Sequence, residues 1–225
     1  MELMDDIICR HCIFAGLEGG GIDAALEYFN ARRKSYKKGE FLHRSGEMLE
    51  SFGIVLYGTV HVFSDDINGH QMMMASVTAG GSFGESLCYL RVEESPVYIC
   101  AAEDCAVLWL SAERLYGISA NAFEHELKNR FICDLAQRAL DMNRRIQIMS
   151  KHALRDKLIT FFTDYVRKFG TRPFTVPFDR SGMATYLGVD RSALSRELSQ
   201  MKKEGVIDYN KNTFCFLRVE KDMEY

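Results

Sequence analysis

The sequence predicts an α+β chain in three parts: a small all-β barrel or double-layered roll, one long helix, and a C-terminal winged helix-turn-helix. Three observations carry that prediction. From Tyr36 to about Leu110, short runs rich in Val, Ile, Phe and Tyr are punctuated by glycine at near-regular spacing, the pattern of a closed or double-layered β fold. From Asn121 to Met149 there are 29 residues without glycine or proline. From Phe178 to Phe216, two short amphipathic segments meet at Gly188-Val189-Asp190, a turn short enough for a helix-turn-helix.

In chain order, residues 1–35 read as helix and loop, with a Gly-rich turn from Gly16 to Gly21 and then Ile22, Leu26 and Phe29 at helical spacing. The strand runs follow: KKGEFLH, SFGIVLYGTVHVFS, QMMMASVTAGG and SPVYICAAEDCAVLWLS. Asn68-Gly69 between two of them is a strong hairpin signal. A roll of this kind is a natural container for a small ligand. Ala112 to Leu115 begins another helix. The long helix carries apolar residues at Phe123, Leu127, Phe131, Leu135, Ala139, Met142, Ile146 and Met149. At 1.5 Å per residue it is on the order of 40 Å long, and a striped helix of that length pairs with a copy of itself. The expected dimer seam is therefore Phe123, Leu127, Phe131, Leu135, Met142 and Ile146. The competing reading packs the same helix on its own barrel.

A break near Ser150 precedes a further amphipathic helix ending at Gly170, and TRPFTVPF makes an extended connection. In the last stretch Met183, Ala184 and Leu187 line one short helix, and Leu194, Leu198 and Met201 line the next. Asp190 stands where an N-cap is wanted. Val206 to Leu217 reads as a two-stranded wing with its tip at Asn210-Lys211-Asn212. The expected domains are 1–118 for the roll, 119–150 for the long helix and 151–225 for the winged helix-turn-helix.

Composition narrows the function. Residues 1–150 hold 14 Lys+Arg against 21 Asp+Glu, whereas residues 151–225 hold 14 against 10. A basic C-terminal third coinciding with a helix-turn-helix is the electrostatic footprint of a nucleic-acid-binding domain. No apolar run approaches the roughly 20 residues that span a bilayer, so no membrane partner is expected. The N-terminus MELMDDIICRHC is acidic and lacks a signal-peptide pattern, and seven scattered cysteines fit reduced thiols; a cytoplasmic location is expected.

A β-roll, a long helix and a winged helix-turn-helix in this order resemble the Crp/Fnr superfamily of bacterial transcription regulators. The residues that carry the resemblance are Gly39, Gly46-Glu47, Gly58, Gly80 to Glu85, and Arg191-Ser192-Ala193-Leu194-Ser195-Arg196-Glu197-Leu198. It implies a double-stranded β-helix, the cyclic-nucleotide-binding-like β-roll, as the sensor, and it implies no enzyme activity. It also implies a homodimer, a two-fold symmetric site on double-stranded DNA, an unidentified small-molecule effector or redox signal, and RNA polymerase as a partner if the chain is an activator.

Relatives that bind cyclic nucleotide use a cassette beginning Gly-Glu and ending, ten residues after that Glu, in Arg-Ser. There the Arg offers a planar donor fork to the cyclic phosphate. Here Gly84-Glu85 matches the start, but Ser95 followed by Pro96 stands at the end, and Arg91 comes four residues early. The long helix has no Ser or Thr between Asn121 and Met149, although cyclic-AMP-binding relatives grip the base with such hydroxyls. Cyclic AMP is therefore not expected. The candidate effector pocket is Gly84, Glu85, Ser86, Ser95 and Val97, with Glu85 either contacting ligand or capping the helix it begins. Oxygen-sensing relatives hold an iron–sulfur cluster with N-terminal cysteines. Cys9 and Cys12 have that look, but the next cysteine is Cys88, so neither a cluster nor a haem on His43, His61 or His70 is expected, and no metal or cofactor is assigned.

On the DNA side, the resemblance carries over at Arg191, Ser195 and Arg196, while Ser192 stands where a Glu is usual. A Ser hydroxyl discriminates less than a carboxylate that accepts from cytosine. Arg196 is expected to read guanine, Arg191 to contact phosphate or guanine, and Arg180, Lys202 and Lys211 to meet the DNA backbone. A rival from another class is a cupin-like metalloenzyme, which needs His-x-His inside the barrel and leaves the C-terminal third unexplained. A third reading is an effector-independent regulator of the same fold.

Overall fold

The structure is a computed structural model that describes residues 2–18, 20–65, 70–169, 173–176 and 178–217. Its contacts form two compact units, residues 1–137 and 138–225, so the division falls inside the long helix.

In the first unit, helices α1 (Glu2–Arg10) and α2 (Gly21–Tyr28) precede eight strands: β1 (Arg32–Tyr36), β2 (Phe41–His43), β3 (Ser51–Tyr57), β4 (Thr59–Asp65), β5 (Gln71–Thr78), β6 (Ser82–Phe83), β7 (Tyr98–Ala101) and β8 (Cys105–Ser111). They form two antiparallel four-stranded sheets, β1-β8-β3-β6 and β2-β7-β4-β5, the double-layered roll the glycine-punctuated runs predict. A short helix α3 (Glu85–Tyr89) interrupts them between β6 and β7. β4 and β5 pair from Thr59↔Thr78 to Asp65↔Gln71, while the Asn68-Gly69 turn lies outside the described residues. Gly58 joins β3 to β4 with φ +79°, and a Cβ there would lie 2.6 Å from the Asp104 carbonyl oxygen. Only glycine fits.

β1 corrects the reading of residues 32–35 as helix or loop. Arg32, Arg33, Lys34 and Ser35 are exposed and only Tyr36 is buried, so no apolar alternation marked a strand. Pairing with β8, from Arg32↔Trp109 to Tyr36↔Cys105, supplies the order that the side chains do not. Charged residues on such an edge also discourage sheet-to-sheet aggregation.

The long helix α4 (Ala122–Met149) forms as expected, but its apolar stripe divides. Leu127 and Phe131 are fully buried in the first unit's own core, with Phe123 and Leu135 packed beside them. Phe131 meets Phe52 at 5.2 Å between ring centroids, and Phe52 meets Phe29 of the α2 end at 6.0 Å. Leu127 and Phe131 are therefore corrected as dimer-seam residues: they are occupied within one chain. Residues 123, 127 and 131 advance in steps of four, each about 40° beyond a full turn, which brings Phe131 to within about 20° of Met142; the stripe divides along the helix axis, because the first unit's core takes only its first half. The later stretch is open, with Ile132 48 %, Met142 60 % and Ile146 60 % exposed.

The second unit holds α5 (Leu154–Phe169), β9 (Phe174–Thr175), α6 (Arg180–Leu187), α7 (Arg191–Lys203), β10 (Ile207–Asn210) and β11 (Thr213–Phe216). The wing is a three-stranded sheet, β10-β11-β9, because part of the extended connection pairs with β11. Gly170, Thr171, Arg172 and Pro177 lie outside the described residues. The core gathers Phe161, Phe162, Phe174, Met183, Ala184, Leu187, Leu194, Leu198, Met201 and Phe214, including every helix-turn-helix position expected from the apolar pattern. Phe162 and Phe214 rings lie 4.6 Å apart.

Both short helices are capped. The Asp179 carboxylate accepts from the Gly182 amide at 2.6 Å. Gly188 ends α6 in the left-handed region, φ 63° and ψ 45°, as a helix C-terminus favours. Asp190 then starts α7 by accepting from the amides of Ser192 at 2.7 Å and Ala193 at 3.1 Å, and from the Ser192 hydroxyl at 2.5 Å. The hydroxyl bond first, then the two amides, hold the Asp190 carboxyl below the usual carboxylate range.

Two outcomes follow from this packing. Phe131→Ala should destabilise the first unit by about 3–5 kcal/mol, measured by urea unfolding followed through tryptophan emission. Asp190→Ala should lower the Tm at neutral pH. Because the folded carboxyl titrates below its unfolded value, the Tm difference from wild type should shrink as pH falls below about 4 and through the folded pKa; a pH-independent difference would show that the cap is not ionic.

Candidate nucleic-acid interface

The outward face of α7 presents Arg191, Ser192, Ser195, Arg196, Ser199 and Lys203, all exposed, while Leu194, Leu198 and Met201 hold its inner face. A second set of bonds fixes the helix as a rigid arm: Arg155 of α5 reaches Glu204 at 2.5 Å and Glu197 at 3.7 Å. Among the described residues, the Arg191 and Arg196 guanidiniums have no hydrogen-bond partner within the chain, so both forks are available to an anion or a base edge. The hydroxyls are partly spent. Ser192 donates to Asp190, Ser195 to the Arg191 carbonyl at 3.0 Å, and Ser199 to the Ser195 carbonyl at 2.9 Å. Each oxygen keeps lone pairs directed outward and can still accept. Ser192 is thus part of the cap that orients the helix, a role its position in the sequence did not reveal.

Two residues expected on the DNA backbone are committed elsewhere. The Arg180 guanidinium donates to the Lys211 carbonyl at 2.8 Å and lies over the rings of Tyr209 at 5.0 Å and Phe214 at 5.1 Å. Burial lowers its pKa. It ties the start of α6 to the wing. Lys202 pairs with Asp208 at 2.6 Å, donates to the Tyr209 carbonyl at 3.2 Å and sits over the Tyr209 ring, holding the Asp208 carboxyl below the usual range. It ties α7 to β10. Tyr209 is seven residues away from Lys202 in the sequence, and nothing marks the pairing before the wing folds back. Lys211 stays exposed at the wing tip with φ 52°. Ser199, which the sequence reading passed over, joins the outward row one turn beyond Ser195; its signal was that spacing of four.

In the first unit the expected effector residues fall into two places. Gly84 (φ 85°) precedes α3, Glu85 is buried at the helix start and Ser86 is exposed on it. Ser95 is also buried, but its bonds run the other way: its hydroxyl donates to the Val97 carbonyl at 3.0 Å, and its own carbonyl accepts from the Gly46 amide at 2.8 Å and the Ser45 hydroxyl at 3.1 Å. Ser95 is a loop tie, which corrects its placement as a pocket residue. Arg91 (φ 51°) stacks on the Tyr116 ring at 3.7 Å and lines a hollow of about 390 Å³ with Met48, Glu50, Ser111 and Glu113. Neither Gly84, Glu85, Ser86, Ser95 nor Val97 lines that hollow.

The histidines and cysteines are dispersed. His43 ends β2, with burial pushing its pKa down, and His61 lies in β4 facing Cys100 of β7. The Cys12 thiol donates to Asp134 of α4 at 3.0 Å, and Cys9 is exposed on α1. Among the described residues, no three His, Cys, Asp or Glu side chains converge as metal ligands, and no helix is long and apolar enough to cross a membrane.

Residues 33–121 match the cyclic nucleotide-binding domain family, and residues 130–221 match the Crp-like helix-turn-helix domain family. The chain is 24 % identical over 211 residues to the transcriptional activator protein FnrA of Stutzerimonas stutzeri, covering 89 % of this chain and 84 % of that protein. It is 24 % identical over 195 residues to the cyclic AMP receptor protein of Thermus thermophilus, covering 87 % of each. Its fold is similar to that of CLP, the c-di-GMP-responsive global regulator of Xanthomonas campestris, with TM-score 0.53, 17 % identity, and coverage of 90 % of this chain and 100 % of CLP. With both family models in their usual order on a roll, a long helix and a winged helix-turn-helix, the chain belongs to the Crp/Fnr superfamily and is a DNA-binding transcription regulator, not an enzyme.

Proposed function

We propose that this regulator acts as a homodimer in the cytoplasm, reading a two-fold symmetric operator under the control of a small-molecule or redox signal received by its roll. The observation that carries the reading is the outward face of α7, where Arg191 and Arg196 stand exposed on a helix oriented by the Asp190 cap. A helix presented in that way enters the major groove with its N-terminal residues at base edges, and two copies meet half-sites about one helical turn apart. Arg196 reads guanine, Arg191 contacts phosphate or guanine, and Ser195, Ser192 and Lys211 contact the duplex around them.

Dimerisation is supported by the open face of α4. Ile132, Leu135, Ala139, Met142, Ile146 and Met149 recur in steps of three and four, the spacing of a helix seam, and Ile132, Met142, Ile146 and Met149 are exposed in the single chain. The working seam is this later stretch, without Leu127 and Phe131. If the regulator activates, as the name of its Stutzerimonas stutzeri relative says of that protein, RNA polymerase is its further partner.

Cyclic AMP is not the signal in this reading, although the Thermus thermophilus relative is named for it. Ser95 replaces the cassette guanidinium and is tied into its own loop, and α4 offers no hydroxyl to a base. An iron–sulfur cluster is likewise not part of it. Cys88 is buried beside Glu85 with its thiol pushed up to about 12, mainly by burial, which disfavours the thiolate a cluster needs.

Selection of bound duplexes from a random DNA pool tests the reading, and recovery of no symmetric motif would overturn it. Arg196→Ala should cost about 1–3 kcal/mol on the selected operator and leave binding to unrelated DNA nearly unchanged, as measured by fluorescence anisotropy; an equal loss on both would make Arg196 a phosphate contact. Ile146→Glu should shift the chain to monomer in sedimentation experiments and abolish the preference for two half-sites over one.

A further inference from the structure

The mouth of the roll beside β1 is a groove of about 460 Å³, within the usual range for ligand sites. Its chemistry is divided. β1 is the edge strand of its sheet, and its pairing places Arg32, Lys34 and Tyr36 on the face they share with Trp109, Val107 and Cys105 of β8. Arg32 and Lys34 thus make a cationic rim at an open edge. Lys34 sits over the Tyr36 ring at 4.7 Å, and among the described residues Arg32 makes no ion pair. Behind the rim the wall is aromatic and the floor apolar: Tyr36, Trp109, Leu42 and Met48. The indole N–H already donates to the Tyr36 hydroxyl at 2.9 Å, so the polar handle of that wall is satisfied; the ring packs against Phe83 at 5.4 Å between centroids, and its partly exposed remainder lines the groove. Glu50 lines the same groove and also the Arg91–Tyr116 hollow, placing a negative charge where the two meet.

We propose that this groove is a binding site for an organic carboxylate with an extended apolar body. The acid group pairs with Arg32 and Lys34, and the body lies on Leu42, Met48 and the Trp109 ring. Bare phosphate or a nucleic-acid backbone would use the rim and leave the apolar floor in water. A neutral or cationic amphiphile would use the floor and meet the wrong charge at the rim. An organic carboxylate with an apolar body satisfies both. The inference concerns binding alone and is independent of the operator reading.

Trp109 is the chain's single tryptophan, so its emission reports the groove directly. Decanoate, titrated into the full chain below its micelle threshold, should give a saturable change in that emission. Acetate, which has the charge without the body, and decyltrimethylammonium, which has the body with the opposite charge, should not. Arg32→Glu with Lys34→Glu should raise the half-saturation concentration about tenfold or more. Both side chains are exposed, and circular dichroism checks the fold; if the double variant fails that check, the three probes on the unaltered chain decide alone. No saturable change with decanoate, an equal response to the cationic probe, or unchanged half-saturation in the folded double variant would each overturn the proposal.

Discussion

The burial of Leu127 and Phe131 under the first sheet is the contact on which the division of labour in this chain depends. An α-helix of 28 residues has more apolar surface than one neighbour can cover. Its first half spends that surface inside the roll, against Phe52 and through it Phe29. Met142 lies within about 20° of Phe131 around the helix axis, but further along it, where neither core covers it or Ile146. One helix thereby belongs to the core of the roll at its start and keeps a free seam further on. The same segment that stabilises the roll carries an exposed apolar face further along.

The reading head is organised by a comparable separation between cations that hold and cations that reach. Arg180 and Lys202 are fastened to the wing by carbonyls, rings and Asp208, and both positions sit at helix ends. Arg191 and Arg196 sit on the opposite face of α7 from its core and keep their donors. Such a division has a physical cause. A guanidinium or ammonium over an aromatic ring is stabilised where it is, although the buried Arg180 Nη1 has no hydrogen-bond partner, whereas a long charged side chain with no partner retains its donors for an incoming anion. The Asp190 cap joins the two groups by fixing where α7 begins, and so which residues of its first turn face outward.

In the roll, the loop after α3 closes on residues 45–47 through backbone and hydroxyl bonds at Ser95, and Arg91 lies on the Tyr116 ring. Positive charge and open volume are instead found together at the β1 edge, beside the aromatic wall of Tyr36 and Trp109. The basic run Arg32-Arg33-Lys34 has no hydrophobic period, which is why it looked like the end of a helix and not like the rim of a groove.

Local patterns in the chain determined the order of its parts, the turn and caps of the helix-turn-helix, the apolar faces of α6 and α7 and the exposed arginines, because each depends on spacing of three to four residues or on one side chain and its neighbouring amides. The family resemblance was legible for the same reason. Tertiary structure alone decided which apolar residues of α4 are already occupied, that Arg180 and Lys202 are fasteners, that Ser95 is a loop tie, and that β1 is a strand. All four depend on partners far away in sequence: Phe52 for Phe131, Lys211 for Arg180, Gly46 for Ser95 and Trp109 for Arg32. A one-dimensional period records which face a residue takes, but what meets that face is settled only when the chain returns to it.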